Sequence, residues 1–438
     1  MKRFAMEILK IWKKDPERLP MIIRGARQVG KTWLMKEFGA ADFKKCAYIN
    51  FDHNTRMQQL FSGDFHIDRI LQGLIIESDV DIEPENTLII LDEIQEVPAA
   101  LSSLKYFAED SRHEYFIVAA GSLLGITLHR GTSFPVGKVE HMDLYPLSFR
   151  EFLCATGNEA LKELLDKQDF SMITAFKDRY IDLLKNYYYV GGMPAAVNTY
   201  IKHRNMKEVR QVHRRLISDY EQDFSKHAPR EVVPRIQMVW DGILSQLAKE
   251  NRKFIYSVLR EGARAKDFEL AIQWMNDCGL CYKVGRIKKG AVPLKAYQDL
   301  PAFKLYLLDV GLLTAMADLD AKTLLKGNDI FTEFKGALTE QYVCQQILSE
   351  LHTVPYYWSA EASSGEVDFV LQHSGNVIPV EVKAKENLNA KSLKYFVESS
   401  RLNFGVRTSM SDYRVQEKLI NLPLYAISCL WDVCDTYD

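Results

Sequence analysis

Residues 25–32 read Gly25-Ala26-Arg27-Gln28-Val29-Gly30-Lys31-Thr32, which fits the pattern G-x-x-x-x-G-K-[ST]. The apolar run Pro20–Arg24 before it predicts a buried strand, and Lys31–Phe38 predicts the helix that follows. Glycines in such a loop let backbone N–H groups approach polyphosphate oxygens, and the helix dipole adds attraction. In this interpretation Lys31 reaches the β- and γ-phosphates and Thr32 presents its hydroxyl to Mg²⁺. A glycine loop arising by chance would leave the flanking strand and helix unexplained.

A second signal is the segment Thr87–Glu93, which reads TLIILDE and ends in two carboxylates. A continuous apolar strand is typical of a parallel sheet covered on both faces, and ligands gather at the carboxyl ends of its strands. Asp92 is therefore a candidate to hold Mg²⁺ through water, and Glu93 to orient or deprotonate the attacking water. Taken alone, two acids after a strand more often form a helix N-cap. Their position downstream of the phosphate loop favours the catalytic interpretation.

A third strand, Tyr115–Ala120, ends in Gly121 and Ser122. We predict that Ser122 contacts the γ-phosphate, with an ordinary turn serine as the equal alternative. The expected nucleotide contacts are the loop residues, the first helical residue after them and this serine: Gly25, Ala26, Arg27, Gln28, Val29, Gly30, Lys31, Thr32, Trp33 and Ser122.

The length and composition of the chain set limits on its class. It has 438 residues, a formal net charge of −2 and seven scattered cysteines. This length fits two to four domains, and the cysteine usage is typical of a reducing cytoplasm. Residues 1–14 predict a basic amphipathic helix, which either packs against the nucleotide domain or binds a membrane surface; packing is favoured. No stretch has the length of a transmembrane helix, so no membrane partner is expected.

The distribution of apolar residues predicts an α/β fold. Up to Leu147, apolar strands alternate with helical patterns, which is the pattern of a doubly wound parallel sheet. From Ser148 to about Ala228 the pattern is helical, which predicts a helical lid. The predicted strands of the first part are Met21–Arg24, Ala47–Phe51, Leu88–Leu91, Phe116–Ala120 and Val139–Leu144.

The middle segment has the outline of a winged helix. Its predicted elements are helices near Pro234–Lys249, Phe254–Gly262 and Ala265–Cys278, then strands Cys281–Ile287 and Ala291–Tyr297. Between residues 251 and 295 there are ten Lys or Arg against four Asp or Glu, an excess that suits a phosphate backbone. The third helix is itself net acidic, which is unfavourable in the major groove. Two alternatives stay open: the wing contacts DNA, or the module docks against neighbouring domains.

The last hundred residues contain a candidate hydrolytic site. Segments 366–371 and 377–383 alternate in polarity around a turn, which predicts a hairpin. Asp368, Glu381 and Lys383 then share one polar face. Asp368 and Glu381 would bind Mg²⁺, Lys383 would position or activate a water, and Glu340 on the preceding helix could add an acid. From spacing alone, a hairpin with a solvated polar face is the favoured alternative.

Several segments together resemble a large group of bacterial and archaeal AAA-type ATPases whose C-terminal domain is labelled as of unknown function. The matching segments are 24–32, 91–95, 120–125, 144–149, 191–194, 307–313, 335–340 and 380–383. The resemblance implies a P-loop ATPase core (1–147), a helical lid (148–230), a winged helix (231–300) and an α/β domain like PD-(D/E)XK restriction endonucleases (301–438). It assigns Lys31, Thr32, Asp92 and Glu93 to the ATPase site, and Glu340, Asp368, Glu381 and Lys383 to the nuclease pattern. It leaves the arginine finger unassigned, with Arg130 as one candidate.

These observations predict a protein that binds and hydrolyses ATP with Mg²⁺ and uses nucleotide state to move a winged-helix and nuclease-like module on DNA. The runner-up is a nucleotide-dependent switch or scaffold whose C-terminal domain binds a partner and cuts nothing. A small-molecule kinase is the third class and fits the acid pair less well. Assembly into a homo-oligomer stays open.

Overall fold

The structure, a computed structural model, describes residues 1–110, 115–122, 134–248, 253–326, 332–361, 365–384 and 390–437. The chain forms two compact units. One comprises Lys2–Tyr145 with Asp277–Gly279, and the other comprises Met1, Pro146–Asn276 and Leu280–Asp438. Of the helices in these described ranges, none is long and apolar enough to span a membrane.

The first unit is built on a five-stranded, fully parallel sheet with the order β2-β3-β4-β1-β5. Each strand overlaps a strand predicted from the sequence, which confirms the α/β interpretation of this part. The sheet strands are β1 (Met21–Arg24), β2 (Lys45–Asn50), β3 (Thr87–Asp92), β4 (Phe116–Ala120) and β5 (Glu140–Asp143). The helices are α1 (Ala5–Lys14), α2 (Lys31–Asp42), α3 (Thr55–Phe61), α4 (Ile67–Ser78) and α5 (Pro98–Glu109).

Burial explains why β3 is so apolar, because all six of its residues are buried. A core of aliphatic and aromatic side chains, including Ile89, Leu91 and Leu104, packs on the sheet. Helix α1 also packs in this unit. Its Leu9 and Trp12 are buried, with Trp12 edge-on to Phe116, whereas Ile11 is exposed, so only part of its apolar surface packs in this unit.

The second unit begins with helices, as the helical pattern after Ser148 predicts. They are α6 (Phe149–Ala155), α7 (Glu159–Asp166), α8 (Phe170–Ala175), α9 (Lys177–Val190), α10 (Pro194–His203), α11 (Met206–His227), α12 (Val233–Leu247) and α13 (Ala265–Asp277). Helix α6 starts with a capping box in which Ser148 and Glu151 satisfy each other's backbone N–H groups.

An eight-stranded mixed sheet fills the rest of this unit, with the order β12-β13-β11-β10-β9-β8-β6-β7. The strands are β6 (Cys281–Ile287), β7 (Gln298–Leu307), β8 (Tyr356–Ser359), β9 (Glu366–His373), β10 (Asn376–Val382), β11 (Gly405–Ser409), β12 (Arg414–Gln416) and β13 (Leu419–Pro423). The accompanying helices are α14 (Val310–Met316), α15 (Ala321–Lys326), α16 (Thr332–Glu350), α17 (Lys391–Ser399) and α18 (Leu430–Tyr437).

The segment predicted as a winged helix differs from that outline in three ways. Only a 3₁₀ turn, Tyr256–Val258, forms where a second helix was predicted. The side chain of Gln246 bonds both the N–H and the C=O of Ile255, so these backbone groups are not available for a helix. The predicted second strand, Ala291–Tyr297, ends in a 3₁₀ turn, and the antiparallel partner of β6 is β7.

The third difference concerns the boundary between domains. Strand β6 pairs in parallel with β8, so the β6–β7 hairpin belongs to the same sheet as the predicted Asp368–Glu381 hairpin. The boundary predicted at residue 300 falls inside β7. Periodicity identifies the strands but contains no information about which sheet they join.

Candidate functional site

The loop between β1 and α2 has the backbone shape that its glycines allow. Gly25 and Gly30 have φ values of +146° and +99°. A Cβ on Gly25 would lie 2.3 Å from the carbonyl oxygen of Leu144, so a larger residue does not fit. Gln28 also has a positive φ of +63°. The loop thus has the tight, glycine-dependent geometry that a phosphate-binding nest requires.

Lys31, the first residue of α2, points back into this loop. Its Nζ donates hydrogen bonds to the carbonyl oxygens of Gly25 and Ala26 at 2.8 and 2.9 Å. Burial lowers the pKa of Lys31 to about 8, although the carboxylates of Glu93 and Asp92 oppose that shift. The ammonium group is therefore held inside the loop and next to two acids.

Thr32 and Asp92, each predicted from the sequence to serve Mg²⁺, are hydrogen-bonded to each other. The Thr32 hydroxyl donates to Asp92 Oδ2 at 2.7 Å, and the Tyr48 hydroxyl donates to the same oxygen at 3.0 Å. Asp92 Oδ1 is buried and accepts no hydrogen bond from the part of the chain that the structure describes. Buried carboxylate oxygens are normally satisfied, so this oxygen is free to take a ligand. Tyr48 was not predicted, because nothing in a strand residue's type marks it as a neighbour of this acid.

Glu93 has a left-handed backbone with a φ of +54° directly after β3. Its Oε2 accepts from Gln95 Nε2 at 2.7 Å, from the Ser122 hydroxyl at 3.2 Å and from the Ser122 amide at 3.5 Å. Ser122, predicted to contact phosphate, thus lies against the glutamate from the end of the neighbouring strand β4. The hydrogen-bonding role of Gln95 was missed, although it follows Glu93 by only two residues.

The other residues predicted to contact nucleotide differ in how much of their side chain is exposed to solvent. Ala26 and Val29 are buried, Arg27 is half-buried, and Gln28 is exposed. Trp33 projects from α2 with 41% of its surface exposed. Arg130, the candidate arginine finger, lies outside the described residues.

These residues fit a magnesium nucleotide. The glycine-dependent loop, the buried ammonium of Lys31 and the unpartnered Asp92 Oδ1 provide an anion nest, a cation and an oxygen ligand. Hydroxyl and carboxylate oxygens such as those of Thr32 and Asp92 are the ligands that Mg²⁺ prefers. The two groups lie 2.7 Å apart, so they can act on one ion.

A second group of polar residues lies on the eight-stranded sheet. Lys383 Nζ lies 2.6 Å from Glu381 Oε1, and the Val382 amide donates to Asp368 Oδ2 at 2.8 Å. Burial and the nearby Asp368 raise the pKa of Glu381, while Lys383 opposes the rise. Glu381 Oε2 is buried and has no hydrogen-bond partner among the residues that the structure describes. The three residues predicted to share a polar face are therefore close together.

Glu340 has different partners. The Tyr306 hydroxyl donates to its Oε2 at 3.1 Å, and the fully buried Lys304 Nζ lies 3.8 Å from the same oxygen. Lys304 also forms an ion pair with Glu366. Sequence reasoning missed Lys304, because a lysine in an apolar strand is not expected to be buried.

Within the described residues, no group of three or more His, Cys, Asp or Glu side chains is placed to hold a metal ion. The predicted ligand set of Glu340, Asp368 and Glu381 is thus not assembled as a three-acid cluster. Asp368 lies close enough to Glu381 to raise its pKa, whereas Glu340 accepts a hydrogen bond from Tyr306 and lies 3.8 Å from Lys304.

Comparison with known families supports the nucleotide site. Residues 17–153 match a family model described as "AAA domain". Residues 181–323 match "Domain of unknown function (DUF8612)", and residues 335–427 match "Domain of unknown function (DUF4143)". Residues 17–153 are therefore similar to AAA domains, and the two later segments are similar to domains described as of unknown function. A search of curated proteins found no significant match.

Solved structures with some similarity to this chain include three proteins. The Walker-type ATPase paby2304 of Pyrococcus abyssi is 14% identical, with a TM-score of 0.44, over 72% of this chain and 95% of that one. The Aeropyrum pernix ORC1 protein in complex with DNA is 13% identical, with a TM-score of 0.25, over 72% and 90%. C. elegans PCH-2 is 13% identical, with a TM-score of 0.26, over 46% and 62%.

Proposed function

We propose that this protein binds ATP with Mg²⁺ and hydrolyses it in the Lys2–Tyr145 unit. The observation that carries the proposal is the convergence of Lys31, Thr32, Asp92 and Glu93 at the carboxyl ends of β1 and β3. The buried, unpartnered oxygen of Asp92 supports a bound cation there.

Each residue has a distinct task in this proposal. The amides of the loop 25–30 would bind the phosphates, and Lys31 would leave the loop carbonyls to neutralise their charge. Thr32 and Asp92 would hold Mg²⁺, which when bound offsets the charge of the β- and γ-phosphates. Glu93 would orient the attacking water and accept its proton, while Ser122 and Gln95 fix the carboxylate.

The test of this part compares ATP turnover by wild type with two variants. Lys31→Ala should bind ATP weakly and turn it over at background rate, because the cation in the nest is lost. Glu93→Gln should retain ATP affinity but lose about 10²-fold or more of turnover, because the base is lost. Glu96→Gln, an exposed acid three residues further on, is the matched control and should behave as wild type. Equal turnover in wild type and Lys31→Ala would refute the proposal.

We also propose that nucleotide state acts on the second unit and that DNA is its target. The exposed Lys288 and Lys289 at the end of β6 supply positive charge that suits a phosphate backbone. Arg286 supports the proposal less, because Asp299 already pairs with it at 2.6 Å. In the C-terminal region, Asp368 and Glu381 would hold Mg²⁺ and Lys383 would position a water for phosphodiester hydrolysis.

A second candidate function has its own supporting observation. Glu340 is bonded to Tyr306 and lies beside the buried Lys304, which reduces its availability as a metal ligand. This favours the alternative in which the C-terminal fold binds a partner and cuts nothing, so that the protein is a nucleotide-dependent switch or scaffold.

One assay separates the two functions. Plasmid and single-stranded DNA are incubated with Mg²⁺ or Mn²⁺, with and without ATP, and with wild type, Asp368→Asn, Glu381→Gln and the exposed control Glu417→Gln. If the protein is a nuclease, wild type and Glu417→Gln should cut the DNA. Asp368→Asn and Glu381→Gln should cut it at least about 10²-fold more slowly. Equal DNA integrity in all samples, with intact ATP turnover, would favour the switch.

A further inference from the structure

Arg3 precedes α1 and is almost fully buried, with 6% of its surface exposed. Its Nη1 donates to the carbonyl oxygen of Val29 at 2.9 Å, and its Nη2 donates to that of Tyr145 at 2.6 Å. One guanidinium group therefore connects the phosphate loop to a residue more than a hundred positions later in the chain.

The carbonyl of Val29 lies where the loop needs an outside partner. Val29 is flanked by Gln28 and Gly30, which both have positive φ values. Such alternating backbone turns the N–H groups towards an anion, so the carbonyl groups face away and need other donors. Lys31 supplies a donor to Gly25 and Ala26, and Arg3 supplies one to Val29.

The two donors differ in what happens when phosphate arrives. Lys31 must leave its carbonyl partners to reach the phosphates. Arg3 bonds the carbonyl of Val29, which is not one of the two carbonyls that Lys31 bonds, so we expect this bond to persist when nucleotide is bound. When Lys31 contacts nucleotide, Arg3 would still hold the loop through the carbonyl of Val29.

The segment that contains Tyr145, the second partner of Arg3, is itself hydrogen-bonded to the first strand. The preceding Leu144 donates its amide to the carbonyl of Arg24 at 2.8 Å. Arg24 in turn bonds both carboxylate oxygens of Asp143, at 2.9 and 3.1 Å. Arg3 therefore bonds a segment that is hydrogen-bonded to β1, the strand that precedes the loop.

We propose that Arg3 is a positioning residue that holds the phosphate loop in its nucleotide-binding shape. The inference rests on the proposed ATP site and adds to it a residue that lies outside the loop motif and touches no nucleotide. Arg3 acts by keeping the Val29 carbonyl turned outward, so that neighbouring amides stay directed into the nest. Residues that orient binding groups from behind typically contribute 10- to 100-fold in affinity or activity.

The experiment compares full-length wild type with Arg3→Ala, Arg3→Lys and Lys2→Ala. Lys2 is the adjacent exposed cation, so its variant removes the same charge without touching the loop. Affinity for MgATP and MgADP is measured by calorimetry, and kcat and KM by phosphate release. Arg3→Ala should weaken both affinities and raise KM about tenfold. Its kcat should stay within about twofold of wild type. Once nucleotide is bound, its contacts with the loop amides hold the loop in shape without Arg3.

The nucleotide affinity and KM of Arg3→Lys should lie between those of wild type and Arg3→Ala. A single ammonium group replaces a guanidinium whose two nitrogens donate to two carbonyls. Lys2→Ala should match wild type. Nucleotide affinity in Arg3→Ala equal to wild type, or a loss shared equally by Lys2→Ala, would overturn the inference. If Arg3→Ala does not fold, an unchanged KM in Arg3→Lys would overturn it instead. No nucleotide binding by wild type would remove the proposed ATP site itself, which is a separate result.

Discussion

In the proposed nucleotide site, we expect a single side chain, that of Lys31, to set both the affinity for nucleotide and its pH dependence. Its ammonium is buried in the loop, and burial lowers its pKa to about 8 in the protein without nucleotide. Only the charged form can neutralise phosphate. The free protein holds that form below about pH 8 and loses it as the pH rises through this value.

From this follows a pH dependence of ATP binding. Between pH 7 and pH 9, the affinity for MgATP should fall about tenfold, because an increasing share of free protein carries neutral Lys31. Titration calorimetry at several pH values measures this directly. A Lys31→Arg variant, weaker at every pH, should show a flat profile because a guanidinium does not titrate in this range. A wild-type profile as flat as that of Lys31→Arg would contradict the expectation.

At the level of elements, Asp309 connects two helical segments of the second unit. Its Oδ1 accepts from the Leu312 amide at 3.1 Å and so caps α14. Its Oδ2 accepts from the Gly192 amide at 2.7 Å, in the turn between α9 and α10. A Cβ on Gly191 would lie 2.1 Å from Asp309 Oδ1, which explains a glycine in that turn.

Burial raises the pKa of Asp309 to about 6 in spite of these N–H donors, so the group is ionised and accepting at pH 7. Asp309→Asn would direct an amide donor at backbone N–H groups. We therefore expect it to lower the free energy of unfolding by about 2 kcal/mol, measured by urea denaturation at pH 7. Asp318→Asn, at an exposed acid near the end of α14, should change it by less than about 0.5 kcal/mol. Equal effects of the two changes would refute the capping role.

At the scale of the whole molecule, each of the two units contains a hydrophobic cluster among its described residues. Ile89, Leu91 and Leu104 belong to one, whereas Val377 and Phe396 belong to the other. Separate cores are expected to melt as separate cooperative units.

Calorimetry should therefore resolve two transitions. MgATP at about 100 times its Kd should stabilise the Lys2–Tyr145 unit by about 2.7 kcal/mol and raise only its transition, by about 5–10 °C. Lys31→Ala should keep both transitions but lose the nucleotide shift. A single transition, or equal shifts of both, would show that the units unfold together.

Local sequence determined the elements that depend on local chemistry. The phosphate loop, the strand leading into Asp92, the five parallel strands and the helical stretch after Ser148 follow from glycine placement and apolar periodicity. The same local signals placed Asp368, Glu381 and Lys383 together, because alternate strand residues share a face.

Only tertiary structure decided the features that depend on distant parts of the chain. Gln246 prevents a helix at Ile255 by taking its backbone groups, and β6 joins β8 in an eight-stranded sheet. Lys304 and Tyr306 engage Glu340, and Arg3 reaches Val29 across the fold. Periodicity records which face of an element is buried and contains nothing about the partner that covers it. These contacts therefore appear only once the chain has folded.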